Sequence, residues 1–415
     1  MVGLPDLPSR FADMMQRLMP NSGRIGLAVS GGSDSMALMF LAATSRKAHL
    51  CVATVDHGLR PESLQEAHFV AHHASALGLE HTILPWASWD GQGNLQDAAR
   101  QARQALLAHW AQQQKLDAVL LGHTQDDQAE TFLLRLARGS GVDGLACMQG
   151  AQHAHGVIWL RPLLDMTRHE LRAWLTERAL RWVDDPSNEN AGFDRIKARK
   201  LKDLLLPLGL TPARLAETAS RMRDARAVLD QAADSAQNCL RRMEYGDIVF
   251  EAEALDALPS DTRYRLIARA LCEVASQPYR PRLKSLQRAL SSSRATLHGC
   301  LISRNRKDVR ISREPRAVQT LRAELRAPWD TRWRIEPPED GIPKEGLHVA
   351  ALGDAGLAIC KDRSLWRLPR QSLLASPSVW HGPQLIAAPL AGLAPEWRLH
   401  LRQSDTSHTE TPYSH

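Results

Sequence analysis

The first half of the chain alternates short, continuous apolar runs with longer stretches whose apolar positions recur every three or four residues. Residues 24–29 (RIGLAV) form the first run and lead into a serine- and glycine-rich segment at 30–35. Residues 50–55 repeat the pattern and end at Asp56-His57-Gly58, and residues 81–85 and 117–121 follow it. Between them lie segments with helical spacing: 36–43, 61–77 and 126–138, the last stopped by Gly139. A further helix is expected behind Asn94 as its cap, with Leu95, Ala98, Ala102, Ala105, Leu106 and Ala108 as its apolar positions. Apolar runs bounded by turn residues read as buried strands, and apolar spacing near 3.6 reads as helices packed on them. The β-α-β-α order predicts an α/β fold, a parallel doubly wound sheet with helices on both faces. Right-handed crossovers then place the strand C-termini, and with them any ligand, along one edge.

Further along, Thr167-Arg168-His169-Glu170 has the form of a capping box, and 182–190 is polar and rich in turn residues. A long helix is expected from about 212 to 243 behind Thr211, and residues 296–312 look β-like with basic residues between. We therefore expect a sheet domain over 1–215, a smaller mostly helical domain over 216–325, and a poorly defined C-terminal region over 326–415. That last region is rich in Pro and Trp and ends in a polar tail expected to be disordered. A chain of 415 residues is long enough for more than one core.

Charge sharpens this picture modestly. The 52 basic and 46 acidic residues leave a formal charge of +6, with basic clusters at 195–202 and 304–316, which suits a nucleic-acid partner. The six cysteines are scattered, without CxxC or Cys/His spacing, so a zinc site, an iron–sulfur cluster and a dithiol centre are not expected. The start of the chain lacks the profile of a signal peptide, and no apolar run nears the ~20 residues that cross a bilayer. These features read as cytoplasmic.

The chemistry concentrates in two places. Ser30, Gly31, Gly32, Ser33, Asp34 and Ser35 sit between an expected strand and an expected helix. Glycines allow a sharp turn and close backbone approach, and a helix N-terminus attracts anions, so the segment suits phosphate. Asp34 would repel a phosphate unless a cation stands between them, and Mg²⁺ is the expected cation. The Walker form GxxxxGK[ST] is absent, which disfavours a P-loop kinase or GTPase. In the second place, His123 ends a strand, and Asp127 and Glu130 follow at i and i+3 on one helix face. Two such carboxylates suit an ammonium group or a metal; equally, acidic residues stabilise a helix N-terminus.

The segment SGGSDS resembles the PP-loop of the N-type ATP pyrophosphatases, whose fold is adenine nucleotide α-hydrolase-like and which cut ATP between its α- and β-phosphates. Three further segments are similar to the lysidine synthases among them: VDHGLRPES at 55–63; GHTQDDQAET at 122–131, continuing through 135–141 to Gly144-Leu145; and DDPSN at 184–188, followed by Phe193-Asp194-Arg195 and Arg199. The likeness spans about residues 20 to 215. It implies a ligase that joins L-lysine to C2 of the wobble cytidine in the CAU anticodon of tRNA(Ile), through an adenylated cytidine, releasing diphosphate and AMP.

By the same resemblance, residues 30–35 bind ATP with Mg²⁺ near Asp34, and Arg100 and Arg103 face the nucleotide. Asp127, Glu130 and Arg199 serve substrate, and Asp34, His123, Asp127, Glu130 and Arg195 serve catalysis, with a general base expected among His123, Asp127 and Glu130. Gln104 stands where the family usually has tyrosine, and Ile196 where many members have asparagine, so roles of those side chains do not carry over. A homodimer is a further expectation. Arg304, Arg306, Lys307 and Arg310 are expected to meet tRNA phosphates. The rivals on this fold are tRNA thiolation enzymes, which need suitably placed cysteines, and amidotransferase-type ligases, which need an ammonia source.

Overall fold

The structure, a computed structural model, describes residues 6–21, 23–45, 49–58, 62–86, 89, 95–184, 194–338 and 346–402. The chain divides into two compact units, Met1–Arg226 and Ala227–His415.

The first unit is built on six strands: β1 (Arg24–Ala28), β2 (His49–Asp56), β3 (Glu80–Pro85), β4 (Ala118–Leu121), β5 (Ala151–Ala154) and β6 (Val157–Leu160). Their order is β3-β2-β1-β4-β6-β5, parallel throughout except for β5, which pairs antiparallel with β6. The helices are α1 (Leu7–Leu18), α2 (Ser33–Ser45), α3 (Ser63–Ala76), α4 (Leu95–Gln113), α5 (Gln125–Ala137), α6 (Val142–Leu145), α7 (Arg168–Glu177) and α8 (Asp194–Leu205), and α9 (Pro212–Leu240) begins in this unit and ends in the second. The α9 N-terminus is capped as expected, the Thr211 hydroxyl accepting the Arg214 N–H at 3.2 Å.

β1 and β4 are buried on both faces, which is why they read as unbroken apolar runs. One face packs on α2, where Met36, Leu38, Met39 and Leu41 are all buried, so that helix is apolar all round. The other face packs on Leu107 and Trp110 of α4. Gly26 is required here, because a Cβ would lie 2.6 Å from the Trp110 ring. β1 lies between β2 and β4, so the strand order reverses beside it. A crevice opens there beyond the strand C-termini, the usual place for a ligand in an open α/β sheet. The β5–β6 hairpin carries no apolar run at 151–154 and was not foreseen.

The second unit adds β7 (Arg241–Glu244), β8 (Asp247–Glu251), β9 (Arg294–Leu297), β10 (Cys300–Arg304) and β11 (Asp308–Arg313), an antiparallel sheet in the order β7-β8-β11-β10-β9. α10 (Ala252–Ala257), α11 (Ser260–Ala275) and α12 (Leu283–Leu290) accompany it, with α11 and α12 packed on the sheet. The helices expected over 216–325 are therefore joined by a full sheet; β7, with the sequence RRME, lacked any strand signature. Two of the four basic residues expected to meet tRNA are engaged within the unit. Arg304 pairs with Asp256, and Arg310 pairs with Asp247 at 2.9 Å and with Glu244. Arg306 and Lys307 stand exposed in the turn between β10 and β11.

Residues 326–402, expected to be poorly defined, contribute most of a second core. Strands Arg322–Glu324, Leu347–Ala351, Pro377–His381 and Gln384–Ala387 form one sheet, and Trp333–Glu336 pairs with Arg398–Leu401. Trp329, Trp333, Val379 and Trp397 meet in the interior. Strands of three to five residues, with tryptophans scattered singly, give too little periodicity to read. Residues 403–415 of the polar tail lie outside the described residues. Among the described residues no helix is long and apolar enough to cross a membrane. Trp329 is 1% exposed. Trp329→Ala should therefore destabilise the protein by about 3–5 kcal/mol in urea titrations; a loss under about 1 kcal/mol would show that this core is not consolidated.

Candidate functional site

Past β1, Val29 still bonds to the sheet, its N–H reaching the Ala53 carbonyl at 2.9 Å. The chain then turns at Gly31, whose φ of +90° lies where only glycine is comfortable, and enters α2 at Ser33. Ser35 closes the turn: its Oγ accepts the Ser30 N–H at 3.2 Å and donates to the Gly32 carbonyl at 2.9 Å. The Gly31 carbonyl accepts the Val183 N–H at 2.9 Å. The first-turn N–H groups of α2 lack an intrahelical acceptor and present partial positive charge beyond the sheet edge. Gly122, at the end of β4, supports this loop from beneath. A Cβ there would lie 3.1 Å from Ser35 Cα and 3.2 Å from the Asp34 carbonyl.

The second element is α5, which starts behind Thr124 in a capping box. Asp127 Oδ2 accepts the Thr124 N–H at 2.9 Å and its hydroxyl at 3.0 Å, while the Asp127 N–H reaches Thr124 Oγ1 at 3.4 Å. The other oxygen, Oδ1, faces Arg168 Nη2 at 3.3 Å. Glu130, 2% exposed, accepts Arg199 Nε at 3.0 Å and lies 3.7 Å from Arg168 Nη1. Arg168 Nε donates to Asp34 Oδ2 at 2.9 Å. One guanidinium thus spans the loop and the α5 carboxylates.

Arg168 is the first residue of α7, whose capping box is the one expected, with Glu170 Oε2 accepting the Thr167 N–H at 2.7 Å and its hydroxyl at 2.8 Å. The Arg168 N–H donates to Asp126 Oδ2 at 2.8 Å, tying α7 to α5. Arg172, one turn on, donates Nε to Ser33 Oγ at 3.1 Å, and Ser33 in turn donates to Asp34 Oδ1 at 3.1 Å. Burial raises the Asp34 carboxyl above the usual carboxylate range; Arg168 pulls it down and Asp127 adds to the rise. Burial also works against the charge on Arg168, but Asp34, Asp127 and Glu130 outweigh it and raise its pKa.

Sequence reasoning missed Arg168, Asp126 and Arg172 as site residues. The capping box marked where Arg168 sits in a helix, but its partners are 134 and 41 residues away in sequence.

The structure brings together residues 30–35, Asp127, Glu130 and Arg199. His123 stands between Gly122 and Thr124, at the same end of β4. Arg100 and Arg103 lie on the exposed face of α4. Arg103 approaches His57, whose pKa burial lowers and the arginine lowers further. His57 follows β2, the parallel neighbour of β1. The Arg195 side chain, Asn94, residues 59–61, residues 185–188 and Phe193 lie outside the described residues.

Among the described residues, no group of three His, Cys, Asp or Glu side chains could hold a metal ion alone. Mg²⁺ seldom uses such a cage; it is bound through one or two carboxylates plus substrate phosphates, which Asp34 beside an anion-binding helix end fits. Cys51 and Cys147 are buried, and burial pushes the Cys147 thiol up to about 11, which keeps it protonated and poorly nucleophilic.

Residues 6–204 match the PP-loop domain family. The chain is 43% identical over 421 residues to a tRNA(Ile)-lysidine synthase of Ruegeria pomeroyi, across 100% of this chain and 99% of that protein. It is 38% identical over 343 residues to a tRNA(Ile)-lysidine synthase of Bradyrhizobium sp. strain BTAi1, across 74% of this chain and 96% of that one. Among solved structures, the U34-tRNA thiolase NcsA from Methanococcus maripaludis is similar at 16% identity and a TM-score of 0.45, over 52% of this chain and 78% of that one.

The tight seat under the loop can be tested. Gly122→Ala must push the Asp34–Ser35 backbone aside, an overpacking effect of about 1–3 kcal/mol. Calorimetry with a non-hydrolysable ATP analogue should show binding weakened roughly tenfold, with the circular dichroism spectrum preserved. Unchanged affinity would mean that the loop does not depend on this contact.

Proposed function

The chain belongs to the tRNA(Ile)-lysidine synthases, and we propose that it divides ATP-dependent lysidine formation between two stations of one site. The observation that carries this reading is the meeting of Asp34 with Asp127 and Glu130 around one guanidinium.

At the first station, residues 30–35 and the α2 N-terminus receive the phosphates of ATP. Mg²⁺ held by Asp34 supplies positive charge there that offsets the phosphate oxygens. Arg100 and Arg103 serve the nucleotide from α4. The wobble cytidine of tRNA(Ile) is unpaired in the anticodon loop and can be presented outward. Its O2 attacks the α-phosphorus, the bond to the β-phosphate breaks, and diphosphate leaves. Cytidine C2 now carries an AMP leaving group.

At the second station, Asp127 and Glu130 hold the ammonium charge of L-lysine. The Arg199 bond to Glu130 keeps that carboxylate oriented, and the Thr124 cap fixes Asp127 with one oxygen free of the cap. An amine of lysine attacks C2, the C–O bond to AMP breaks, and the proton lost by the amine passes to a base among His123, Asp127 and Glu130. Arg195 and Arg199, near the reacting centre, offset the charge that develops there.

The helical and sheet region over 216–325 contacts the tRNA, with Arg306 and Lys307 as exposed phosphate ligands. The homodimer expected from the resemblance, and a cytoplasmic setting, where ATP and tRNA both occur, belong to the same proposal. The buried, protonated Cys147 weighs against sulfur transfer.

The test is to supply ATP, Mg²⁺, radiolabelled lysine and unmodified tRNA(Ile) bearing a CAU anticodon, and to count label in the tRNA. We expect ATP-dependent labelling that falls roughly 100-fold or more in Asp34→Ala. Labelling that survives this change would remove Asp34 from the first station; a preference for sulfide or ammonia would overturn the substrate.

A further inference from the structure

Arg172 joins the phosphate loop to the segment that follows α7. Its Nε donates to Ser33 Oγ at 3.1 Å, its Nη2 donates to Asp184 Oδ1 at 2.8 Å, and its guanidinium lies 5.7 Å from the centroid of the Trp182 ring. Trp182 Nε1 donates to the same Asp184 oxygen at 3.2 Å, and the Val183 N–H donates to the Gly31 carbonyl at 2.9 Å. Resting on the reading above, in which Asp34 holds Mg²⁺ beside the phosphates of ATP, we propose that Arg172 is a positioning residue that orients Asp34 through the Ser33 hydroxyl.

The direction of the hydrogen bonds carries this inference. A guanidinium N–H can only donate, so Ser33 meets Arg172 with a lone pair and turns its single proton elsewhere. Asp34 Oδ1, 3.1 Å away, accepts that proton. Asp34 Oδ2 takes Arg168 Nε at 2.9 Å, so the carboxylate is held at both oxygens before any ligand arrives. Each oxygen keeps a further lone pair for a cation. Metal-binding carboxylates are commonly held by such hydrogen bonds, and removing the partner weakens the metal.

The remaining contacts keep Arg172 in place without making it a pillar of the fold. The Arg172 and Asp184 side chains are 45% and 71% exposed, so their ion pair adds little to stability. Ser33 is buried, so protein groups rather than bulk water set its hydroxyl. Without Arg172 that hydroxyl is released to turn to a phosphate oxygen, and Asp34 Oδ1 loses its partner.

Calorimetric titration of a non-hydrolysable ATP analogue into the full chain, over a series of Mg²⁺ concentrations, separates the metal from the nucleotide. In Arg172→Met the Mg²⁺ concentration that gives half of the tightening should rise about 10- to 100-fold. Binding without Mg²⁺ should change by less than about twofold. Ser33→Ala should shift the Mg²⁺ response by a similar factor, and the double variant by no more than either single one, because both act through one hydroxyl. Arg172→Lys, which keeps a donor, should recover part of the loss. The thermal midpoint of Arg172→Met should move by no more than about 4 °C; a larger fall would mark Arg172 as structural and overturn the proposal. Arg172→Met that keeps the Mg²⁺ response, or that is weakened equally with and without Mg²⁺, would also overturn it, as would losses that add in the double variant. Those results leave the first station standing when Asp34→Asn abolishes the Mg²⁺ response. If Asp34→Asn retains that response, Asp34 does not hold the metal and the reading and the proposal fall together.

Discussion

Carboxylates drawn together out of water repel one another, and each resists ionisation as its hydration is stripped away. Asp34 feels both effects, burial first and the charge of Asp127 after it, and its carboxyl is raised above the usual range. Arg168 offsets the repulsion by reaching Asp34, Asp127 and Glu130. Helix geometry contributes as well: the site forms where the N-termini of α2, α5 and α7 converge, at Ser33, Gln125 and Arg168. Each helix end carries partial positive charge that favours nearby anions. The same field that tolerates three carboxylates also favours phosphate, and the proposed first station draws on it.

The scaffold sets these three helix ends by separate local devices. Gly31 and the Ser35 hydroxyl fold the loop before α2, and Gly122 lets that loop rest on β4. Thr124 with Asp127 caps α5, and Thr167 with Glu170 caps α7. Asp126 then locks α7 to α5 through one backbone bond. Asp127 shows how economical the arrangement is. As a capping residue it uses Oδ2, and toward Arg168 it uses Oδ1, so the helix cap and the ion pair divide between its two oxygens.

What could be read in advance follows from how local each signal is. β1, the loop and α2 are contiguous, and a buried strand running into Gly31-Gly32 announces itself. Asp127 and Glu130 are close in sequence and share a helix face. Arg168 could not be found this way, because its role exists only once residues 134 positions apart are brought together. Arg310 misled for a related reason. It alternates with Val309 and Ile311, which suggests a solvated face, yet Asp247 and Glu244 approach it from neighbouring strands. The second core around Trp329 left little trace, since its apolar residues come from several short strands, each too brief to show a period.

The central claim is that one site contains two stations with separable tasks. It is tested most directly by following the adenylate group itself, using ATP labelled at the α-phosphate and tRNA(Ile) with the CAU anticodon. In a variant carrying Asp127→Asn and Glu130→Gln, label should accumulate on the tRNA as the adenylated intermediate, because the second step lacks its lysine station. In Asp34→Asn no label should reach the tRNA. If the double variant fails to adenylate the tRNA as completely as Asp34→Asn does, the two stations are not separable and the account is contradicted.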